Sequence, residues 1–351
     1  MNGAILIYGA TGYTGKLIAK VAADQGARPI LAGRNRHRVK AVAEPLGLAA
    51  LAFDLRDPAR IDAALKGASV VLNVAGPFSA TSRPMADACL RNRVHYLDIT
   101  GEIDVFEGLA ARDAEARARG VTLLPGVGFD VVPSDCLAAH LKRRLPDAND
   151  LKLYLSFGAN MSRGTAKTMV EAIAAGTRLR RKGRIVFRDW AERGSCDFGD
   201  RARSTIQISW GDVATAFHST GIPNIEVHIE ASPAIMAFAR TPWFVKSFLG
   251  LDFMQSLLKF QVDRMPEGPS EAARRTGRAV LVGQARNKTG QTVRSRLRTP
   301  EGYSLTAATA FDVARRVAAA EVKPGFQTPS LALGADYILN FGGVTREDLN
   351  N

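Results

Sequence analysis

Between the apolar run AILIY (residues 4–8) and an amphipathic run that opens near Tyr13, the chain reads GATGYTG, with glycines at 9, 12 and 15. Glycines spaced this way, at the end of a strand and the start of a helix, permit a tight turn, close approach of a ligand to bare backbone, and close packing of helix on strand. The free N–H groups of the helix start then aim at an anion lying over Gly12. The sequence therefore assigns Gly9, Ala10, Thr11, Gly12, Tyr13, Thr14 and Gly15 to the pyrophosphate of a dinucleotide.

Short aliphatic runs recur downstream at 28–33, 48–55, 69–76, 94–99 and 121–126, separated by segments of helical length such as 57–66, 81–92 and 103–119. This alternation predicts parallel strands joined by crossover helices, a doubly wound Rossmann-type sheet. The end of the second run reads AGRNRHR, with Arg34, Arg36 and Arg38 and no acid. An NAD site places a carboxylate there, whereas guanidinium groups suit the 2′-phosphate of NADP, so Arg34, Asn35 and Arg38 are assigned to that phosphate. Asp54 closes the third run within reach of an adenine edge. Asn73, Ala75, Gly76 and Pro77 close the fourth, where a cofactor crosses the sheet.

A chain of 351 residues with 46% hydrophobic content fits two domains. No uninterrupted apolar stretch of membrane-spanning length appears, and the first eight residues carry no charged export region, so a cytoplasmic protein is expected. Cys89, Cys136 and Cys196 are widely spaced, and the five histidines are scattered, so neither disulfides nor a metal site is expected. The net charge of +13 attracts anions without choosing among them. Much of it is local: residues 272–300 contain eight Arg or Lys and no acid, and RLRRKGR spans 178–184. Few aromatics interleave with these blocks, which argues against nucleic acid. Arg294, Arg296 and Arg298 alternate along one expected strand and so share a face, read as a docking surface for an acidic acyl carrier protein or anionic lipid.

GATGYTG, LAGRN, NVAGPF, YLDITGE (96–102) and PGVGFDVVPSD (125–135), in this order, resemble the saccharopine dehydrogenase-like oxidoreductases, and most nearly their shorter bacterial trans-acting enoyl reductase members. SRGTAKTM (162–169) resembles a further family segment, with Arg163 in place of a glycine. The resemblance implies an NADP-binding Rossmann domain over 1–130, an α+β substrate and dimerisation domain on a mostly antiparallel sheet over 131–327, and a C-terminal segment, 328–351, packing back on the first. The strands of the second domain are expected near 150–157, 184–189, 204–210, 224–231, 277–287 and 291–299. Gly101, in the YLDITGE loop, joins the cofactor contacts.

The resemblance also implies an NADPH-dependent reductase of an acyl or enoyl substrate. The alternatives left open are an imine or amino-acid oxidoreductase and an NADP-binding sensor or scaffold without turnover. No tyrosine has a lysine four residues on, so the Tyr/Lys pair of short-chain dehydrogenases is absent. Asp130, Ser134 and Lys167 are the catalytic candidates, Ser134 being equally readable as a helix cap. The Met- and Phe-rich stretch 231–262 reads as a homodimer interface, or else as a platform for an acyl chain or membrane surface.

Overall fold

Six of the apolar runs fold as parallel strands: β1 (Ala4–Tyr8), β2 (Ile30–Gly33), β3 (Ala49–Ala52), β4 (Ala68–Asn73), β5 (His95–Asp98) and β6 (Thr122–Leu124). The crossovers carry α1 (Tyr13–Asp24), α2 (Arg36–Ala43), α3 (Pro58–Ala64), α4 (Phe78–Asn92), and the pair α5 (Ile103–Ala110) and α6 (Asp113–Arg119). The computed structural model describes residues 3–157, 162–164, 176–231, 236, 251–262, 264 and 266–350. In space the strands run β6-β5-β4-β1-β2-β3, and Gly325–Phe326 adds a short parallel strand outside β6. The chain leaves β1 toward β2 on one side and returns to β4 on the other. Beyond the carboxyl ends of β1 and β4 this reversal opens the crevice in which such sheets bind ligands.

Alternation along the strands explains why helices cover both faces. Leu6, Tyr8, Val71, Tyr96 and Leu123 pack with Ile61, Met85, Leu90, Val105 and Leu109 from the helices of one face. Their neighbours Ile7, Val70, Leu72 and Leu97 are fully buried on the other. There α1 packs beside the long helix Gly302–Ala318, which also rests on β1 and β4. The expected single helix over 103–119 is broken at residues 111–112, where Arg112 turns its guanidinium to Asp87 (2.5 Å) and Glu115 (3.0 Å).

The chain divides into two units, Met1–Cys136 with Gly302–Phe341, and Leu137–Glu301 with Gly342–Asn351. The second is built on β7 (Asp150–Phe157), β8 (Thr177–Arg181), β9 (Arg184–Arg188), β10 (Arg193–Asp197), β11 (Ala202–Ile208), β12 (Asn224–Glu230), β13 (Arg278–Arg286) and β14 (Thr292–Pro300), with Thr345–Leu349 as a further strand. The main path runs β10-β11-β12-β7-β13-β14 and then Thr345–Leu349; only β7 with β12 is parallel. Leu151, Leu153 and Leu155 form an apolar face, and Lys152 and Tyr154 point the other way. The helix α7 (Val132–Arg144) lies hard against this sheet: a Cβ on Gly283 would come within 2.5 Å of Leu141 Cδ1.

Three strands of this sheet carry no apolar signature. In the β8–β9 hairpin Arg180 is buried, donates to the carbonyls of Val213 and Gly183 (both 2.8 Å), and lies over the Phe217 ring at 4.1 Å. Arg181 pairs with Glu226. Two of the five basic side chains in the block at 178–184 are thus engaged within the fold. The stripe on β14 is partly neutralised as well: Arg296 pairs with Glu347 of the last strand, and Arg298 lies 3.6 Å from the same carboxylate. The acid missing from the local sequence is supplied from some fifty residues away.

Candidate cofactor and active site

The three glycines of the first loop do different work. Gly9 has φ +91°, and a Cβ there would sit 2.7 Å from Ala75 N, so both its conformation and the neighbouring end of β4 exclude a side chain. A Cβ on Gly15 would meet Gly9 O at 2.5 Å and Ala10 Cα at 2.8 Å. Gly12 is different: its Cβ would find only Gly9 O, at 3.5 Å, an ordinary contact. Among the described residues no packing contact requires a glycine at 12. Gly12 is also the N-cap of α1, no side chain caps the helix, and its first turn has no acid. A bare backbone at an uncapped helix start fits an anion brought close, which is what a dinucleotide pyrophosphate demands. Tyr13 at this helix start meets Tyr303 edge-on, ring centres 5.2 Å apart. Tyr303 escaped the sequence reading because nothing local ties it to a loop 290 residues earlier.

At the end of β2, Asn35 caps α2, its side chain accepting from Arg38 N at 3.1 Å. Arg34 and Arg38 are exposed. Asp54 is gripped by Arg56, through Nε at 3.0 Å, Nη2 at 2.9 Å and the backbone N–H. These bonds, with a smaller pull from Arg34, hold the Asp54 carboxyl down at about 2. Two guanidinium groups therefore flank Asp54, and its own acceptors are engaged by Arg56.

The loops leaving β4, β5 and β6 are stitched to one another. Buried Asn73 donates to Thr81 Oγ1 at 3.2 Å and to the Tyr96 hydroxyl at 3.4 Å, and accepts from Ala75 N at 3.2 Å. Thr81 donates in turn to Ala75 O at 2.6 Å, closing the turn that holds the cis peptide Gly76–Pro77. Tyr96 donates to Asp98 at 2.7 Å, and Asp98 also accepts from Thr100 N and Gly126 N, both at 3.0 Å. Burial nonetheless pushes the Asp98 carboxyl up to about 6. Glu102 accepts from Phe78 N (2.8 Å) and Ser79 N (2.7 Å), placing a carboxylate on the N-terminus of α4. The loop after β6 is held by the long helix of the same unit: Phe129 N donates to Thr306 Oγ1, and Thr309 donates to Val127 O, both at 2.9 Å.

Of the catalytic candidates, Asp130 lies beside Gly101, whose Cβ position is 3.2 Å from Asp130 Oδ2. Its carboxyl is densely surrounded yet reaches the surface in part, and burial pushes it up to about 6. Ser134 is fully buried in the first turn of α7 and donates to Val131 O at 3.1 Å, so its hydroxyl is directed to the backbone. Lys167 lies outside the described residues, as does most of SRGTAKTM. Among the described residues no cluster of side chains suits a metal ion.

A parallel sheet of this order, with a glycine loop at its reversal point, defines a dinucleotide-binding Rossmann domain, and residues 5–124 match the family model of the saccharopine dehydrogenase NADP binding domain. Trans-acting enoyl reductases from Mycobacterium leprae (36% identical over 149 residues, 40% of this chain and 36% of that one) and Mycobacterium ulcerans (34% over 148 residues, 40% and 35%) are similar in sequence. The chain spans less than half the length of the curated relatives it matches. In structure, apo saccharopine dehydrogenase (L-Glu forming) from Saccharomyces cerevisiae matches 99% of this chain and all of that one at a TM-score of 0.69 with 10% identity, a likeness of fold.

The glycine geometry separates two variants. Gly12→Val is expected to fold and to lose dinucleotide binding, whereas Gly15→Val is expected to lower thermal stability by driving α1 off β1. Circular dichroism melts with cofactor titrations read both, and an unchanged affinity in folded Gly12→Val would remove the loop from the site.

Proposed function

We propose that the chain is an NADPH-dependent oxidoreductase that reduces an acyl or enoyl group of a hydrophobic, carrier-bound or free, substrate. The observation that carries it is Gly12, a bare backbone at an uncapped helix start that no packing among the described residues requires, within residues that match an NADP-binding domain. The names of the mycobacterial relatives supply the enoyl group. Bound NADPH supplies a hydride to an electron-poor carbon. In this reading the start of α1 holds the pyrophosphate, and Arg34 with Arg38 holds the 2′-phosphate. The Asp98 network and Glu102 keep the loops after β4 and β5 rigid. Asp130 holds the proton that the reduced substrate needs, at a carboxyl group whose raised affinity leaves part of it protonated near neutrality.

NADPH is expected to bind more tightly than NADH, and Arg34→Ala to cost about 1.5–3 kcal/mol of NADPH affinity alone. Equal affinities in the wild type contradict the assignment. Absorbance at the nicotinamide band should fall with enoyl thioesters and stay constant with imino acids. The opposite pattern would favour the saccharopine-type reaction.

If Asp130 is the acid, turnover falls as pH rises through about 6, and Asp130→Asn flattens that limb. The stability sign is independent of catalysis. A carboxyl raised from 3.8 to about 6 in the fold costs nothing while protonated, and its burial cost grows between those values and levels off above them. Asp130→Asn should therefore gain up to about 3 kcal/mol on the wild type as pH rises from 4 to 7, read by urea titration.

The reading includes a homodimer. Phe253, Leu257 and Phe260 are exposed on the helix Asp252–Val262, and their spacing puts them on one side of it. Sedimentation equilibrium at micromolar concentration should give twice 37.7 kDa, and 37.7 kDa itself would exclude a stable dimer.

A further inference from the structure

The polar face of the second sheet contains a cleft of about 590 Å³ lined by Lys152, Tyr154, Gln284, Arg286, Asn287 and Lys288, together with Asn149 and Asp150. The register sets its floor: Gln284 stands opposite Lys152, and Arg286 opposite Asp150, on the paired strands β13 and β7. Their neighbours Leu151, Leu153 and Ala285 are buried on the opposite face, so the alternation itself collects these polar side chains on one side.

Some of the lining is committed to the fold. Asn287 ties the β13–β14 turn together through Asp147, Thr289 and Gln291. Lys152 shares buried Glu226 with Arg181, at 3.0 Å, and lies 3.6 Å from Glu192. Four other groups are uncommitted. Among the described residues the side chains of Tyr154, Gln284, Arg286 and Lys288 make no hydrogen bond or ion pair, although they converge on one concavity. Elsewhere on the sheet Arg181, Arg203 and Arg296 each have a carboxylate partner. The lining holds three cations against the single acid Asp150.

We propose that this cleft is an anion-binding site for a phosphate group, inorganic or carried as a phosphomonoester on a small molecule. Two uncommitted cations match a dianion, and the Arg286 fork suits two oxygens of a tetrahedral oxyanion. The Tyr154 hydroxyl and the Gln284 amide add neutral donors at neighbouring positions on the sheet. Lys152, paired with Glu226, contributes field from below. The lining residues all belong to the second unit, and none is part of the pyrophosphate loop.

Isothermal titration of inorganic phosphate into the full-length protein tests it, run on NADPH-saturated wild type and again on Gly12→Val. NADPH occupancy fills the phosphate sites of the first unit and Gly12→Val removes its pyrophosphate loop, and the Arg286/Lys288 substitution separates any phosphate held at Arg34 and Arg38, so a failure of the cofactor reading does not disguise a failure here. The expected result is a saturable phosphate event in both. Arg286→Ala/Lys288→Ala should weaken it at least tenfold and Tyr154→Phe two- to threefold, with unfolding temperature and NADPH affinity unchanged. Absence of binding in both backgrounds, or phosphate binding indifferent to the double substitution, overturns the proposal. Acetate binding as tight as phosphate overturns the choice of ligand.

Discussion

The first unit depends on how near two backbones can come at the end of β1. Gly9 lets that strand turn against Ala75 at the end of β4, and Gly15 lets α1 lie on the turn itself, each at a distance no side chain tolerates. If either approach relaxed, the crevice between β1 and β4 would close or splay. Gly12 then stands exposed in a position made by its two neighbours and needed by neither. Structural and binding constraints, which usually overlap in one motif, fall here on different residues of the same seven.

The carboxyl edge of the sheet obeys a second rule, that polar loops are fixed by buried side chains rather than by bulk. Asp98 is the centre: one carboxylate serves a tyrosine hydroxyl and two backbone N–H groups from separate loops. Its burial cost is the reason that its carboxyl group is pulled toward neutrality even with three donors. Glu102 performs a similar duty at α4, out in partial solvent. Rigid loops of this kind spare a site the entropy of arranging them around each ligand.

Much of the first unit was legible in the sequence because its signals are local. Strand runs, the glycine loop and AGRNRHR each carry their meaning within a few residues, and the parallel order comes from alternation. The six strands expected in the second domain are present, but Thr177–Arg181, Arg193–Asp197 and Thr345–Leu349 were not expected. TRLRR hides a buried arginine that donates to the carbonyls of Gly183 and of distant Val213, and TREDL pairs along β14, where Arg296 and Arg298 offer its glutamate a partner. The same distance effect misled the reading of the β14 stripe as an acid-free face. Lys167 lies outside the described residues. Asp130 stood out in the sequence as an acid in a loop, while its raised affinity for protons comes from packing that only the fold creates.

The helix Gly302–Ala318 and the strand Gly325–Phe326 belong to the unit that begins at the amino terminus, so that unit is interrupted by 165 residues of the other. During synthesis the nascent sheet therefore waits, with the face that α1 shares uncovered and the outer edge of β6 unpaired, until the chain has been made past Phe326. At about 5–20 residues per second this is an interval of roughly ten to forty seconds. For that time the apolar surface later sealed by Phe311 and Val313 is available to chaperones or to neighbouring chains. A gene fragment ending near residue 136 would leave the protein in the same unfinished condition permanently.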